Sequence, residues 1–392
     1  MSVLKKITLG ECCTIVSGAT PSTSVGDYWD GDTFWVTPKD LSNLDGHYIS
    51  ETPRKLTKAG LGSCSALVLP VNSVLFSSRA PIGLVAVNTV PMATNQGFKS
   101  FVPKKEIIDE KFLFHWLRAN RVYLESLGNG ATFKEVSKAT VSKIEILLPS
   151  LPEQRRIAAI LDQADTLRAK RREVLIKFDK LTQSIFVEMF SDAVTGTTKV
   201  PRVQLSEVTT RITDGTHLTP NFISSGVPFI FVKNFQNGRI NFKTDKFISE
   251  EEHEALYKRC PVEQGDVLYT TVGATYGKAV AVGKFTKFAF QRHVAHLKPD
   301  KEKILPEFLE SMMQLPFVKQ QADRWARGAA QPTINLTELR QFEIPLPILS
   351  SQREYVSRIA IVNKLKTVHE ESDEELGNLF ESLQHRAFWG KL

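Results

Sequence analysis

From Pro152 to Gly196 the chain has no internal glycine or further proline, and its apolar residues recur at alternating steps of three and four. Ile157, Ile160, Ala164, Leu167, Val174, Phe178, Leu181 and Ile185 form a stripe of coiled-coil spacing, interrupted where Arg171 takes an apolar slot. Pro152 stands in a first turn that tolerates its missing N–H. The pattern predicts one helix of roughly forty residues, about 55–60 Å long at about 1.5 Å per residue. Such a helix outruns a single domain, so it projects or bridges. A second stripe, Tyr355, Val362, Leu365, Leu376, Leu379 and Leu383, places Arg358, His369 and Ser372 in its polar slots. The two stripes are expected to cover each other.

The second stripe belongs to a repeat. Gly130-Ala131-Thr132, Glu145-Ile146-Leu147-Leu148-Pro149, Leu151 and Gln154-Arg155 recur without insertion as Gly328-Ala329-Ala330, Glu343-Ile344-Pro345-Leu346-Pro347, Leu349 and Gln352-Arg353. Looser matches precede them: Leu9-Gly10-Glu11 with Leu205-Ser206-Glu207, Ile49-Ser50-Glu51 with Ile248-Ser249-Glu250, and Val74-Leu75-Phe76 with Val267-Leu268-Tyr269. Their drifting offset reads as loops of unequal length. Each unit is then a variable region of roughly 150 residues followed by a faithful tail of roughly 45, as duplication of a whole module produces. Compact domains often have neighbouring termini, so the second helix is expected to return antiparallel to the first and bring the chain's end toward its beginning. Arg168, Lys170, Arg171 and Arg172 at the middle of the first helix would then meet Glu370, Glu371, Asp373, Glu374 and Glu375 on the second, unless both runs are solvated faces.

The variable regions carry short alternating runs between turns. Strands are expected at 34–37, 73–76, 83–87 and 143–148, and again at 228–232, 266–271, 279–282 and 342–346. Helical periodicity covers 111–127 and 305–326. The fold class is α+β: two mixed α/β domains separated by two long helices packed as an antiparallel coiled coil.

Polar and basic residues gather in the turns of both regions. The first offers Lys39, Arg79, Asn95, Gln96 and Lys134; the second offers Lys233, Asn234, Tyr276, Lys278, Gln291, Arg292, Arg327 and Gln331. Arg, Lys, Asn and Gln read guanine and adenine edges in the major groove, and glycine-flanked N–H groups suit phosphates. Any one of these loops could also be an ordinary turn. Lys39 with Lys233, and Gln96 with Gln291, stand at similar places in the two units, which makes them the preferred contacts. A formal charge of +7 in 392 residues agrees with an acidic partner without requiring one.

Other chemistry is disfavoured. Cys12, Cys13, Cys64 and Cys260 show no paired or zinc-like spacing and read as reduced thiols. Gly273-Ala274-Thr275-Tyr276-Gly277-Lys278-Ala279 imitates a phosphate loop, but its glycines are too close and Ala279 replaces the magnesium-holding hydroxyl. His293 and His296 lack a supporting cluster, so they read as core or DNA-facing residues rather than metal ligands. No apolar run approaches the roughly 20 residues that span a bilayer, and no signal core follows Met1. A cytoplasmic, non-catalytic reader that binds no cofactor is the expectation.

The phrase Ile144-Glu145-Ile146-Leu147-Leu148-Pro149-Ser150-Leu151-Pro152-Glu153-Gln154-Arg155-Arg156-Ile157 and its weaker copy from Phe342 to Tyr355 resemble the specificity subunits of type I restriction-modification systems, along the whole chain. The second copy departs with Ser350-Ser351 for Pro-Glu, which is expected to loosen that helix start. The resemblance implies a target recognition domain at 1–150, a central helix at 151–196, a second recognition domain at 197–348 and a C-terminal helix at 349–392. It implies that each recognition domain reads half of a bipartite, asymmetric double-stranded DNA site and that the paired helices set the unread spacer. It further implies two methyltransferase subunits that use S-adenosylmethionine on adenine, and restriction subunits that use ATP and Mg. The alternative, from a different class, is a coiled-coil scaffold whose end domains hold protein partners.

Overall fold

A computed structural model describes residues 4–388 apart from 45, 131–133, 196–199, 237, 274–275, 284–286 and 329–331. The chain divides into two compact units, residues 1–171 with 372–392, and residues 172–371. Each unit contains one variable region and a segment of both long helices. Among the described residues no helix is long and apolar enough to cross a membrane.

In unit 1 a five-stranded sheet runs in the order Cys13–Ser17, Lys99–Pro103, Val74–Ser78, Ile82–Asn88, Tyr48–Ile49. Beside it, Trp29–Val36 pairs antiparallel with Lys55–Leu56 and parallel with Met92–Thr94. Unit 2 repeats the plan: Thr209–Asp214, Val294–Pro299, Val267–Thr270 and Ala279–Ala281 form one sheet, and Val227–Ile230 pairs antiparallel with Phe247–Ile248 and parallel with Ala289–Phe290. The inner strands Val74–Ser78 and Val267–Thr270 stand where strands were expected, whereas their inner neighbours Lys99–Pro103 and Val294–Pro299 escape sequence reading, because neither shows the alternating burial that marks a half-exposed strand. The expected helix 305–326 is two helices, Pro306–Met313 and Pro316–Trp325, because Pro316 cannot donate to the preceding turn and holds Leu315 extended at ψ 150°. Its counterpart is likewise split, into Glu110–Ala119 and Arg121–Ser126.

Both long helices form, Leu151–Thr195 with a non-helical Phe190, and Leu349–Phe388. Their starts are built alike. Gln154 is 1% exposed; its carboxamide accepts from Asp109 N at 2.9 Å and donates to Ile107 O and Pro149 O, both at 3.0 Å. Gln352, at 0%, accepts from Leu305 N at 2.9 Å and donates to Lys303 O at 2.9 Å and Pro347 O at 2.8 Å. The Ser350-Ser351 departure therefore leaves the second start intact, since the glutamine rather than the Pro-Glu pair anchors it.

The helices pair within each unit, on seams partly different from the expected ones. In unit 1, Ile157, Ala158 and Leu161 share a core with Phe380, Leu383 and Ala387. In unit 2 the segments are antiparallel, with Phe178 against His369 at 5.2 Å and Phe186 against Tyr355 at 5.9 Å. Tyr355 and Val362 are buried as expected, and Ile160, Val174, Phe178, Ile185, Leu376 and Leu383 are partly buried. Four leucines assigned to the seams instead face solvent: Leu167 is 56% exposed, Leu181 45%, Leu365 50% and Leu379 53%. Leu161, Phe186, Ile359 and Phe380 hold the places they were given. The reason is that the helices must also cover their variable regions, which turns the buried face by about one residue, roughly 100°.

Further ion pairs join the two helices outside the expected charge runs: in unit 2, Asp179 and Glu188 on the first helix meet Lys366 at 2.6 Å and Arg358 at 3.2 Å on the second. In unit 1, Arg168 bonds Asp165 of its own helix at 3.1 Å and lies 4.5 Å from the Phe380 ring centre. Asp165 also takes His47 at 2.7 Å and Arg118 at 2.6 Å, while Asp162 takes His115 at 2.7 Å and Lys111 at 2.9 Å. This ladder fastens the helix Glu110–Ala119 to the first long helix.

Candidate nucleic-acid interface

The turns singled out in the sequence converge at one edge of each variable region, held by the same backbone bonds. In unit 1, Asn95 N donates to Val36 O at 2.9 Å, Ser78 N to Gly97 O at 2.7 Å, Val136 N to Ser78 O at 3.0 Å and Ala19 N to Thr94 O at 3.0 Å. In unit 2, Gln291 N donates to Ile230 O at 3.4 Å, Thr271 N to His293 O at 2.9 Å, Ile334 N to Thr271 O at 2.9 Å and Thr216 N to Phe290 O at 3.0 Å. The chains approach so closely that a Cβ on Gly18 would fall 1.9 Å from Asn95 O, and one on Gly215 2.1 Å from Phe290 O. Only glycine fits there.

This frame fixes which residues correspond. Asn95 matches Gln291, Gln96 matches Arg292 and Gly97 matches His293, so the expected pairing of Gln96 with Gln291 is off by one residue. Lys39 does match Lys233, and both are exposed. Each rides a short turn closed by the residue that follows: Thr37 N donates to Asp40 Oδ2 at 2.7 Å, and Phe231 N to Asn234 Oδ1 at 3.0 Å. Asn234 is thereby removed from the contact set. It is 4% exposed, and its amide donates to Asn241 O at 2.9 Å and Lys243 O at 3.3 Å, so it holds the turn that presents Lys233.

The remaining candidates of unit 1 gather around Gly97, where a Cβ would lie 3.2 Å from Pro38 Cγ and 3.6 Å from Arg79 Cγ. Gln96 is exposed and takes the Thr20 hydroxyl on its carbonyl. Asn95 is spent partly on the turn, accepting from Gly97 N at 2.9 Å. Arg79 lies 3.6 Å from Glu135, beside the exposed Lys134. In unit 2, Arg292 is exposed, Arg327 is exposed 3.9 Å from Glu338, and Lys278 reaches back to Phe235 O at 3.0 Å. Tyr276 is engaged within the unit, its hydroxyl on Asp323 and its ring 3.8 Å from Lys319 Nζ. Gln331 lies outside the described residues. Burial and the neighbouring Arg292 lower the His293 imidazole below its ordinary range, so it is neutral at pH 7. His296 belongs to the core: it is 0% exposed, with Asp266 at 2.7 Å and Cys260 at 3.3 Å.

Sequence reading passed over the loop Thr216-His217-Leu218. Thr216 Oγ1 accepts from Leu218 N at 3.2 Å, and Leu218 is 82% exposed beside Arg292, whose N–H bonds Thr216 O at 2.9 Å. The Gly18–Gly215 match was the available signal.

Two modules with one backbone frame, different polar side chains at matched positions and paired helix segments define a duplicated recognition protein. The chain belongs to the type I restriction modification DNA specificity family, whose model matches residues 1–176 and 202–378. It is 37% identical over 195 residues to the type I restriction enzyme MjaIX specificity subunit of Methanocaldococcus jannaschii, covering 48% of this chain and 44% of that one. With the EcoBI specificity subunit of Escherichia coli it is 24% identical across 99% of this chain and 79% of that one. The fold is also that of the S subunit of the type I restriction-modification system of M. genitalium, at a TM-score of 0.54 and 14% identity, covering 99% and 96% of the two chains. A chain from a type I R-M system studied for complex assembly and conformational transition gives 0.56 at 21% identity, covering 99% and 98%.

Proposed function

We propose that this chain is the DNA-reading subunit of a type I restriction-modification enzyme, each variable region reading one half of a bipartite, asymmetric double-stranded site. The observation that carries this reading is the recurrence of one loop frame with different side chains: Asn95, Gln96 and Arg79 in one unit stand where Gln291, Arg292 and Val272 stand in the other. A fixed frame with exchanged donors and acceptors reads two unlike sequences. The paired helices set the spacer and hold two methyltransferase subunits, and restriction subunits join that assembly. S-adenosylmethionine, ATP and Mg serve those partners, while this chain supplies recognition.

The exposed leucines support the scaffolding half of the proposal. Leu181 and Leu365 in unit 2, and Leu167 and Leu379 in unit 1, repeat each other at the 198-residue shift and give each unit an apolar face for a partner helix. Methylome sequencing of a host expressing this chain with its methyltransferase tests the whole reading. A two-part adenine motif is expected; a continuous motif, or none, would overturn it.

A further inference from the structure

The loop after Gly215 is longer than its counterpart after Gly18. The two glycines hold one place in the frame, and the residues after them make the same bond, Ala19 N to Thr94 O and Thr216 N to Phe290 O, both at 3.0 Å. The next shared point is a buried proline preceded by threonine, Thr20-Pro21 in unit 1 and Thr219-Pro220 in unit 2. Unit 1 spans that interval directly, whereas unit 2 inserts His217-Leu218 between Thr216 and Thr219. Leu218, at 82%, is the most exposed large apolar side chain among the described residues.

The loop holds this leucine outward. Thr216 Oγ1 accepts from Leu218 N at 3.2 Å and donates to Leu218 O at 3.0 Å. His217 is tied to Asp214 Oδ2 at 2.7 Å, Pro220 is buried, and Asn221 N donates to Glu252 Oε1 at 3.2 Å. The backbone is thus fixed on both sides of Leu218, at the edge that carries Gln291 and the exposed Arg292, whose N–H bonds Thr216 O at 2.9 Å. In unit 1 the shorter loop places no apolar residue there: Thr20 spends its hydroxyl on Gln96, and Ala19 accepts the Trp35 indole N–H at 3.1 Å. The inserted pair adds an apolar contact to unit 2 alone.

We infer that Leu218 reads a thymine in the half-site of unit 2 by packing on its C5-methyl group, an inference that rests on the DNA reading proposed above. A leucine has no donor or acceptor, and the apolar group that base edges present in the major groove is that methyl. Apolar wedges that part base steps enter from the minor groove. The residues flanking Leu218 are instead the bidentate readers of the major groove, glutamine for adenine and arginine for guanine. Leu218 follows Thr216 by about 7 Å of extended chain at most, and Thr216 is bonded to Arg292. The thymine therefore lies within about two base pairs of the base that Arg292 reads, at about 3.4 Å per pair.

Replacing each thymine of the site singly by uracil deletes the methyl and keeps every hydrogen-bonding group. The full chain with its methyltransferase is titrated with these duplexes, built on the motif that methylome sequencing gives. At one position uracil is expected to weaken binding by the parent about fourfold, the worth of one buried methyl. Leu218→Ala is expected to bind the thymine and uracil duplexes of that position equally, and Leu218→Met to restore the preference. Neither substitution disturbs folding at so exposed a place. The inference is overturned if no position shows a thymine preference that the parent has and Leu218→Ala lacks, or if Leu218→Ala weakens binding by one factor on both duplexes, as loss of a wedge would. Site-selective binding by the parent in those cases leaves the DNA reading standing. A parent that does not prefer its site over random duplex overturns both.

Discussion

Gln154 and Gln352, 198 residues apart, occupy one structural position, and each spends its buried carboxamide on the N–H that starts a flanking helix and on two loop carbonyls. This explains why the motif around them is the most faithful part of the repeat: it welds each long helix to its variable region. Gln154→Ala removes all three bonds from a site that excludes water. A loss of about 2–4 kcal/mol is expected in urea unfolding, with Gln352→Ala similar. An effect below about 0.5 kcal/mol would show that the weld lies elsewhere.

The exposed leucines separate folding from assembly. Leu181→Glu with Leu365→Glu is expected to change unfolding free energy by less than about 0.5 kcal/mol, as surface changes do, while weakening association with the methyltransferase at least tenfold in sedimentation or calorimetry. Phe380→Ala, in the core, is expected to cost about 3–5 kcal/mol.

His115 and Asp165 make unit 1 acid-sensitive. Burial lowers the His115 imidazole despite its Asp162 bond, so the folded unit holds fewer protons than the unfolded chain below about pH 6.5. Burial opposes ionisation of Asp165, but its bond to His47 and the charge of Arg118 outweigh it and hold the carboxyl well below its ordinary range. Both groups give stability that is present above their unfolded pKa and lost as pH falls, for His115 from about 6.5 downward and for Asp165 from about 4 downward. His115→Asn is expected to flatten the upper part of that slope in thermal unfolding measured from pH 7 to 5.

The proposed spacer role predicts that the two helices lengthen together. Four residues inserted after Arg171 and four after Glu371 keep both segments paired in each unit, whereas an insertion in one helix alone slides the seams. The paired insertion is expected to lengthen the unread spacer by one or more base pairs in methylome sequencing. An unchanged spacer removes the helices from that role.

Within the candidate interface, Lys39→Ala and Lys233→Ala are each expected to reduce the salt slope of DNA binding by about one. Gln96→Ala and Arg292→Ala, now the matched pair, are each expected to relax one half-site and leave the other intact. Relaxation of both halves by one substitution would contradict independent reading.

Much of this architecture is written in the order of residues. The faithful segment around Gln154 and Gln352 announces the duplication, the uninterrupted run from Pro152 to Gly196 announces the helix, and the matched lysines announce equivalent turns. These are local or repeated signals, set by backbone geometry and periodicity. Three-dimensional packing decided the rest. A helix that touches both a partner helix and a variable region has two apolar faces, and spacing alone does not say which is covered, so Leu167, Leu181, Leu365 and Leu379 were placed inward. Correspondence between loops depends on hydrogen bonds across strands, which moved Gln96 from Gln291 to Arg292 and withdrew Asn234 into the fold.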